Sequence, residues 1–334
     1  MDIMKTLSVC LGSLIGVLMM NLCGSTAGAQ TTQPASGEGI VGAPTDPARM
    51  TKPEEFAKIA WDTSHKGRAI DLGLFKRTFN DDFKKMNIVK EDSPPGEGAV
   101  WFSPGHGAFR TNSPLRADGP FTLVDEGLRL RVEMVGNRWK GACMTSVNTR
   151  GEGFAQQYGY FEMTARYDYP PPGAKGSRIW GAFWLKSQCD YFNQGKTTRT
   201  EIDVNEFYGD DGYHTTVHLW AAAHPLPGAT ITKHIMRSGY KDKVAPDLFK
   251  ALKDDQGVVR GFHSYGCEIT PQWVIMYFDR KEVARFPMME EWKTPLYMLV
   301  DLVITKPESE AVFPMDLVVR NVSAYQRIKP YEGQ

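Results

Sequence analysis

Glu201-Ile202-Asp203-Val204-Asn205-Glu206, followed by Phe207-Tyr208-Gly209, is the stretch from which the rest of the chain can be read. Its carboxylates are interleaved with Ile and Val, the pattern of a β-strand that shows acids to one side and aliphatics to the other. Glu201 and Asp203 then share a face while Ile202 and Val204 point to the core, and Glu206 falls on the wrong face by parity. One extra residue repairs this. With Asn205 as the bulged residue, Glu206 returns to the acid side and Phe207 to the core, as β-bulges beside active sites do. Like charges crowded on one strand face raise at least one pKa, so one carboxyl can stay a protonated acid while another stays ionised. Paired carboxylates of this kind are what cleavage of a glycosidic bond requires.

The chain has 39 basic and 39 acidic residues and is 42% hydrophobic over 334 residues, enough to bury a substantial core in one long all-β domain. This balance gives no electrostatic case for a nucleic-acid partner or a polybasic membrane surface. Glycine (32), proline (21) and aromatics (11%) suit a turn-rich β protein whose rings meet a ligand.

Residues 1–29 read as a signal peptide: Lys5, an apolar run from Leu7 to Leu22, and Ala27-Gly28-Ala29 as a small-x-small cleavage site before Gln30. Gly12, Gly16, Asn21 and Gly24 interrupt the run, which makes it short for a membrane span. Met20-Asn21-Leu22 before Cys23 lacks the small residues of a lipid-attachment site. The expectation is a secreted or periplasmic monomer with no membrane partner after cleavage. Cys143, Cys189 and Cys267 then remain, and an odd count of three allows at most one intramolecular disulfide.

From 30 to 53 the composition is that of a flexible leader. Residues 54–74 read as an extension packing on the main domain, opened by a short helix over Glu54–Trp61 with Phe56, Ile59 and Ala60 on one side. The main domain spans 75–330. Leu128–Met134 alternates after the turn Asp125-Glu126-Gly127, as does Tyr160–Tyr167, where Phe161, Met163, Ala165 and Tyr167 share a face. Ile179–Leu185 sets Trp180, Ala182 and Trp184 against Ile179, Phe183 and Leu185, and Thr215–Trp220 sets Val217 and Leu219 against His218 and Trp220. Further strands are expected over Trp273–Phe278, Tyr297–Ile304 and Met315–Tyr325. With no β-α alternation and no fixed repeat, the sum is an antiparallel β-sandwich or jelly roll with one polar-aromatic concave face.

These motifs resemble glycoside hydrolase family 16. Glu201–Glu206 is similar to its E-x-D-x-x-E signature, in the bulged form typical of the laminarinase, agarase and carrageenase branches. Tyr158-Gly-Tyr-Phe-Glu162, Gly181-Ala-Phe-Trp184, His214-Thr-Thr-Val-His218-Leu-Trp220, Phe262-His-Ser-Tyr265 with Ile269-Thr-Pro271, and Met315-Asp-Leu-Val-Val-Arg320 resemble the strands around it. The resemblance covers residues 75 to 327. It implies a concanavalin-like jelly roll and endo-acting, retaining cleavage of a β-linked polysaccharide by double displacement. Residue by residue it implies Glu201 as nucleophile, Glu206 as general acid/base and Asp203 as the assisting carboxylate between them. Four effective strand steps separate the two glutamate Cα atoms by roughly 13 Å. Leaning side chains close that to the roughly 5 to 5.5 Å of retaining enzymes.

Around the acids, Trp180, Trp184 and Trp220 are candidate sugar platforms, because apolar sugar faces stack on rings. His218 is a candidate partner for a sugar or for Asp203, and Arg199 for substrate or the acids. His214 and His218, four apart on a strand, lie too far apart to share a metal. Thr200 stands where the family usually has Gly, and Ile269 where a Trp commonly precedes Thr-Pro. The loop Tyr169–Gly176 and the segment Ala222–Asp254 are expected to shape the cleft ends, with Arg178 and Lys186 as further cations. No cofactor is required for catalysis on this reading. A structural calcium is implied by many relatives, with Asp316 as its candidate ligand. Within the same resemblance a transglycosylase, or a carbohydrate-binding domain without turnover, are the alternatives to a hydrolase.

Overall fold

The structure, a computed structural model, describes residues 50–103, 120–136, 138–167, 179–188, 200–207, 213–222, 231–240, 261–304 and 314–332. The expected signal peptide, most of the expected leader, Cys189, Arg178, Arg199, the loop Tyr169–Gly176 and most of Ala222–Asp254 lie outside the described residues.

In chain order the strands are β1 (Phe75–Asp81), β2 (Ile88–Lys90), β3 (Trp101–Ser103), β4 (Phe121–Val124), β5 (Gly127–Val135) and β6 (Arg138–Lys140). They continue as β7 (Ala142–Thr145), β8 (Gly159–Tyr167), β9 (Ile179–Ser187), β10 (Thr200–Phe207), β11 (His214–Ala222) and β12 (Ile231–Tyr240). The last are β13 (His263–Ile269), β14 (Trp273–Phe278), β15 (Lys281–Pro287), β16 (Leu296–Ile304) and β17 (Met315–Arg327). Among the described residues they form two sheets. The outer one runs β15-β14-β13-β8-β17-β5-β4, with β1 on β17 and β6 on β5; the inner one runs β12-β11-β10-β9-β16-β7-β3-β2. Pairing is antiparallel throughout except for β2 with β3. This is the β-sandwich jelly roll that the alternating patterns predict.

The alternation of each strand decides what meets between the sheets. Phe161, Met163, Ala165 and Tyr167 of β8 face Phe183 and Leu185 of β9, Ile202 and Val204 of β10, and Val217 and Leu219 of β11 in one buried core. Each large apolar side chain so buried contributes roughly 1.5–3 kcal/mol. Gly127, the first residue of β5 after the turn, has φ +140°, and a Cβ there would lie 2.2 Å from the Val319 carbonyl oxygen. Only glycine accepts both that dihedral and that approach. Cys143 and Cys267 are free and buried.

The amino-terminal extension is part of this core. Its helix α1 covers only Pro53–Phe56, shorter than the expected Glu54–Trp61. The cause lies downstream: the Trp61 ring packs on Phe286 at 5.2 Å and its Nε1–H donates to the Arg237 carbonyl of β12, which draws the chain out of helical register. Ile59 packs partly buried against the core as expected, whereas Ala60 is exposed. Phe56 is fully buried between Phe286 and Trp292, at 5.5 and 5.9 Å between ring centroids. Thr51 binds the Glu291 carboxylate through both its N–H and its hydroxyl, and the Glu291 carbonyl in turn accepts from the Thr200 hydroxyl at the head of β10.

Truncating Phe56 to alanine should therefore cost about 3 kcal/mol of the stability of the whole domain. Urea denaturation followed by tryptophan fluorescence should show one transition moved to lower urea. An early, separate transition with the main one unmoved would mean that the extension is only an appendage.

Candidate active site

The register of β10 shows how the carboxylates reach one face. Against β9 the pairs are Glu201↔Lys186, Ile202↔Leu185 and Asp203↔Trp184, and then Asn205↔Phe183 and Glu206↔Ala182, so the ladder slips by one residue at Val204. The bulge predicted at this point is present, with Val204 rather than Asn205 as the residue lacking a β9 partner. Val204 and Asn205 both turn to the core side. Val204 joins the apolar cluster, and the Asn205 amide donates to the Tyr167 hydroxyl of the opposite sheet at 2.7 Å. Glu206 is thereby returned to the side of Glu201 and Asp203.

The same face collects the neighbouring strands' polar side chains. Across β11, Glu201 stands opposite His218, Asp203 opposite Thr216 and Glu206 opposite His214. His218 Nε2 lies 2.7 Å from Asp203 Oδ2 and 3.7 Å from Glu201 Oε1. Of the partners expected for His218, the structure supplies Asp203. The Thr216 hydroxyl donates to Glu206 Oε2 at 2.7 Å, and the Thr215 hydroxyl fixes the strand from behind by donating to the Asp203 carbonyl at 2.7 Å. Asp203, Glu206 and His218 are buried, while the Glu201 side chain keeps 19% of its surface exposed.

Burial first, then the charges of Glu206 and Glu201, push the Asp203 carboxyl up to about 8, against the hydrogen bond from His218 that pulls it down. Burial works to lower His218, but its hydrogen bond to Asp203 and the three neighbouring carboxylates outweigh that and raise it. At neutral pH the pair therefore keeps a proton between its two members.

The aromatic candidates line this face. Trp184 sits beside Asp203, packed on the small cluster of Val147, Tyr297 and Leu299, with the Lys186 ammonium 5.8 Å from its ring. Trp180 lies two residues beyond Ala182, toward the Glu206 end. Trp220 stacks on His218 at the Glu201 end, with centroids 6.3 Å apart and an 11° tilt. Both are half-buried. Rings thus flank the carboxylates along the strand direction.

Two residues of the site escape a sequence reading centred on β10. Thr216 carries a signal only through its place two residues before His218 on one strand face. Asp301 is the lone acid on the cleft-side face of β16, where Tyr297, Leu299 and Val303 are its companions. It is buried, pairs with Ala182 of β9, and so lies in one row with Glu206.

Asp316 does not fit a calcium site: both its oxygens accept from the Arg131 guanidinium, at 2.7 and 2.6 Å. Glu201, Asp203 and His218 offer ligand atoms within 4.8 Å of one another, a closeness that the His218–Asp203 hydrogen bond already explains.

This fold and this carboxylate strand meet a known family. Residues 121–305 match the family described as Glycosyl hydrolases family 16, and the chain belongs to it. Among curated proteins it is similar to the endo-1,3-1,4-beta-glycanase EglC of Rhizobium meliloti (strain 1021), 27% identical over 75% of this chain and 51% of that protein. The endo-1,3-1,4-beta-glycanase ExsH of the same strain is 24% identical over 71% of this chain and 48% of that protein. The chain spans about half the length of these relatives. Among solved structures, the laminarinase catalytic domain from Thermotoga maritima MSB8 shares the fold with a TM-score of 0.52, at 17% identity, over 76% of this chain and 99% of that one. The laminarinase from Rhodothermus marinus does so with a TM-score of 0.51, at 21% identity, over 76% and 98%.

A folded chain that holds the Asp203 proton from 3.8 up to about 8 binds more protons than the unfolded chain across that window, so this group's contribution to stability falls as pH rises through it. The raised His218 acts in the same sense. Asp203→Asn should remove the Asp203 part. Between pH 5 and pH 8 the melting temperature of the native sequence should drop further than that of the variant, by about 3 °C or more. Parallel profiles would show that Asp203 titrates normally.

Proposed function

We propose that the chain is a secreted, endo-acting glycosidase that cleaves a β-linked polysaccharide with retention of anomeric configuration. The observation that carries this reading is the bulged β10, which sets Glu201, Asp203 and Glu206 on one face with Glu201 the most open of the three. Glu201 attacks the anomeric carbon, and its Oε–C1 bond forms as the glycosidic C1–O bond breaks. Glu206, held by Thr216, gives its proton to the departing oxygen. Water then enters, loses a proton to Glu206, and its oxygen displaces Glu201 from C1, which restores both carboxyl groups to their starting states. Asp203 and His218 share one proton beside the nucleophile and so limit the negative charge gathered there before attack. Trp180, Trp184 and Trp220 stack the sugars on either side of the scissile bond.

The names of the relatives support a glucan with β-1,3 or mixed β-1,3 and β-1,4 linkages as first substrate. Residues 1–29 supply the export signal on this reading. Purified protein should release reducing ends from laminarin or lichenan, with viscosity falling ahead of sugar release, as internal cleavage requires. Glu201→Gln should lower the rate by at least about a thousandfold. Proton NMR of the first products should show the β anomer ahead of mutarotation. First appearance of the α anomer, or a Glu201→Gln protein as active as the native one, would sink the mechanism.

A further inference from the structure

Asp301 has no part in the chemistry described so far, yet it is placed for one. The inner sheet sets Cys143 of β7, Asp301 of β16, Ala182 of β9 and Glu206 of β10 in one cross-strand row. Side chains of a row share a face. Asp301 and Glu206 therefore point the same way, two strands and about 10 Å apart at Cα, with Ala182 as the residue of the row that separates them. Trp180 and Trp184 stand to either side of Ala182, so the gap over it is walled by rings. Asp301 is 1% exposed, and its Oδ1 has no hydrogen-bond partner among the described residues. A buried carboxyl oxygen without a partner costs stability. Such a group persists where it serves the site it faces.

We propose that Asp301 is a positioning residue for Glu206: across the Ala182 gap it offers a hydrogen bond to the carboxylate that Glu206 becomes when it delivers its proton. This rests on Glu206 being the acid/base. The titratable and charged groups around Asp301 agree with a donor role. On β10 it faces Asp203 and Glu206, with Glu201 farther along; on β7 it faces Cys143; Lys186 of β9 and His218 of β11 lie toward the Glu201 end. Burial first, then the charges of Asp203 and Glu206, hold the Asp301 carboxyl well above the usual carboxylate range, against an easing contribution from the Ala182 N–H. Burial and the nearby Asp301 push the Cys143 thiol up as well, so it stays neutral and brings no further charge to the row. A neutral Asp301 has an O–H to give. Thr216 holds Glu206 from the β11 side, and Asp301 adds a donor from the β16 side.

The test compares Asp301→Asn, which keeps a donor of the same shape, with Asp301→Leu, which keeps only the volume. On the polysaccharide that the native protein cleaves, Asp301→Leu should lower kcat about tenfold, the effect of one hydrogen bond to a charged group. KM should stay within about twofold, and the alkaline limb of the kcat/KM profile should move to higher pH, because Glu206 gives up its proton less readily. Asp301→Asn should restore kcat to within about threefold and return the limb. Should the leucine variant not fold, Asp301→Ala removes the donor without adding bulk and is read the same way. Native kcat and an unmoved limb in the leucine or alanine variant would overturn the proposal, as would equal losses in the asparagine and apolar variants. Glu206→Ala, assayed with azide on an aryl glycoside, separates the two readings. Loss of polysaccharide cleavage with azide rescue establishes the acid/base, whereas full activity would remove that role and this proposal with it.

Discussion

A single slipped residue in β10 carries the site. Without the offset at Val204, strand parity would send Glu206 into the apolar core. The slip is stabilised from behind, where Asn205 donates to the Tyr167 hydroxyl, Tyr167 stacks on Phe207 at 4.6 Å, and the Tyr213 hydroxyl donates to the Val204 carbonyl. Each of these groups is buried, so each bond would leave an unpaired polar atom if broken. The acids on one side of the strand are thus held by amide and phenol groups on the other.

Electrostatics follow from that placement. Several acids on one face of a buried strand cannot all ionise, and the structure answers this with shared protons instead of cations. Asp203 leans on His218, and burial first, then the charges of Asp203 and Glu206, hold the Asp301 carboxyl well above the usual carboxylate range. Among the described residues, Lys186 of β9 stands opposite Glu201, with its ammonium against the Trp184 ring. On the proposed mechanism, this keeps charge low enough for one carboxyl to act as a nucleophile while a neighbour keeps its proton.

Most of the fold was legible because strand alternation survives in the sequence wherever one face is buried. β8, β9, β11 and β14 fall where the period-two pattern puts them, and the bulge could be inferred because parity alone misplaces Glu206. What escaped was set by long-range contacts. Helix α1 stops early because Trp61 is pulled to β12, and no local signal announces that. Asp316 looked like a ligand until the register laid Arg131 beside it. Thr216 and Asp301 became legible only once neighbouring strands were aligned, since each earns its place from a residue distant in sequence. Thr200, a departure from the family pattern, proves to be bound through its hydroxyl to the Glu291 carbonyl.

That last contact bears on where this domain can be cut. The family match begins at residue 121 and the first strand at Phe75, so a protein trimmed to either point would look complete on paper. Yet Thr51 grips Glu291, Phe56 fills the space between Phe286 and Trp292, and Glu291 in turn holds the head of β10. A trimmed version would expose an aromatic face to solvent and loosen the strand that bears the acids. Laboratory truncations and fusion junctions therefore belong before residue 50, and chain shuffling between relatives should carry residues 50–74 along with the sandwich.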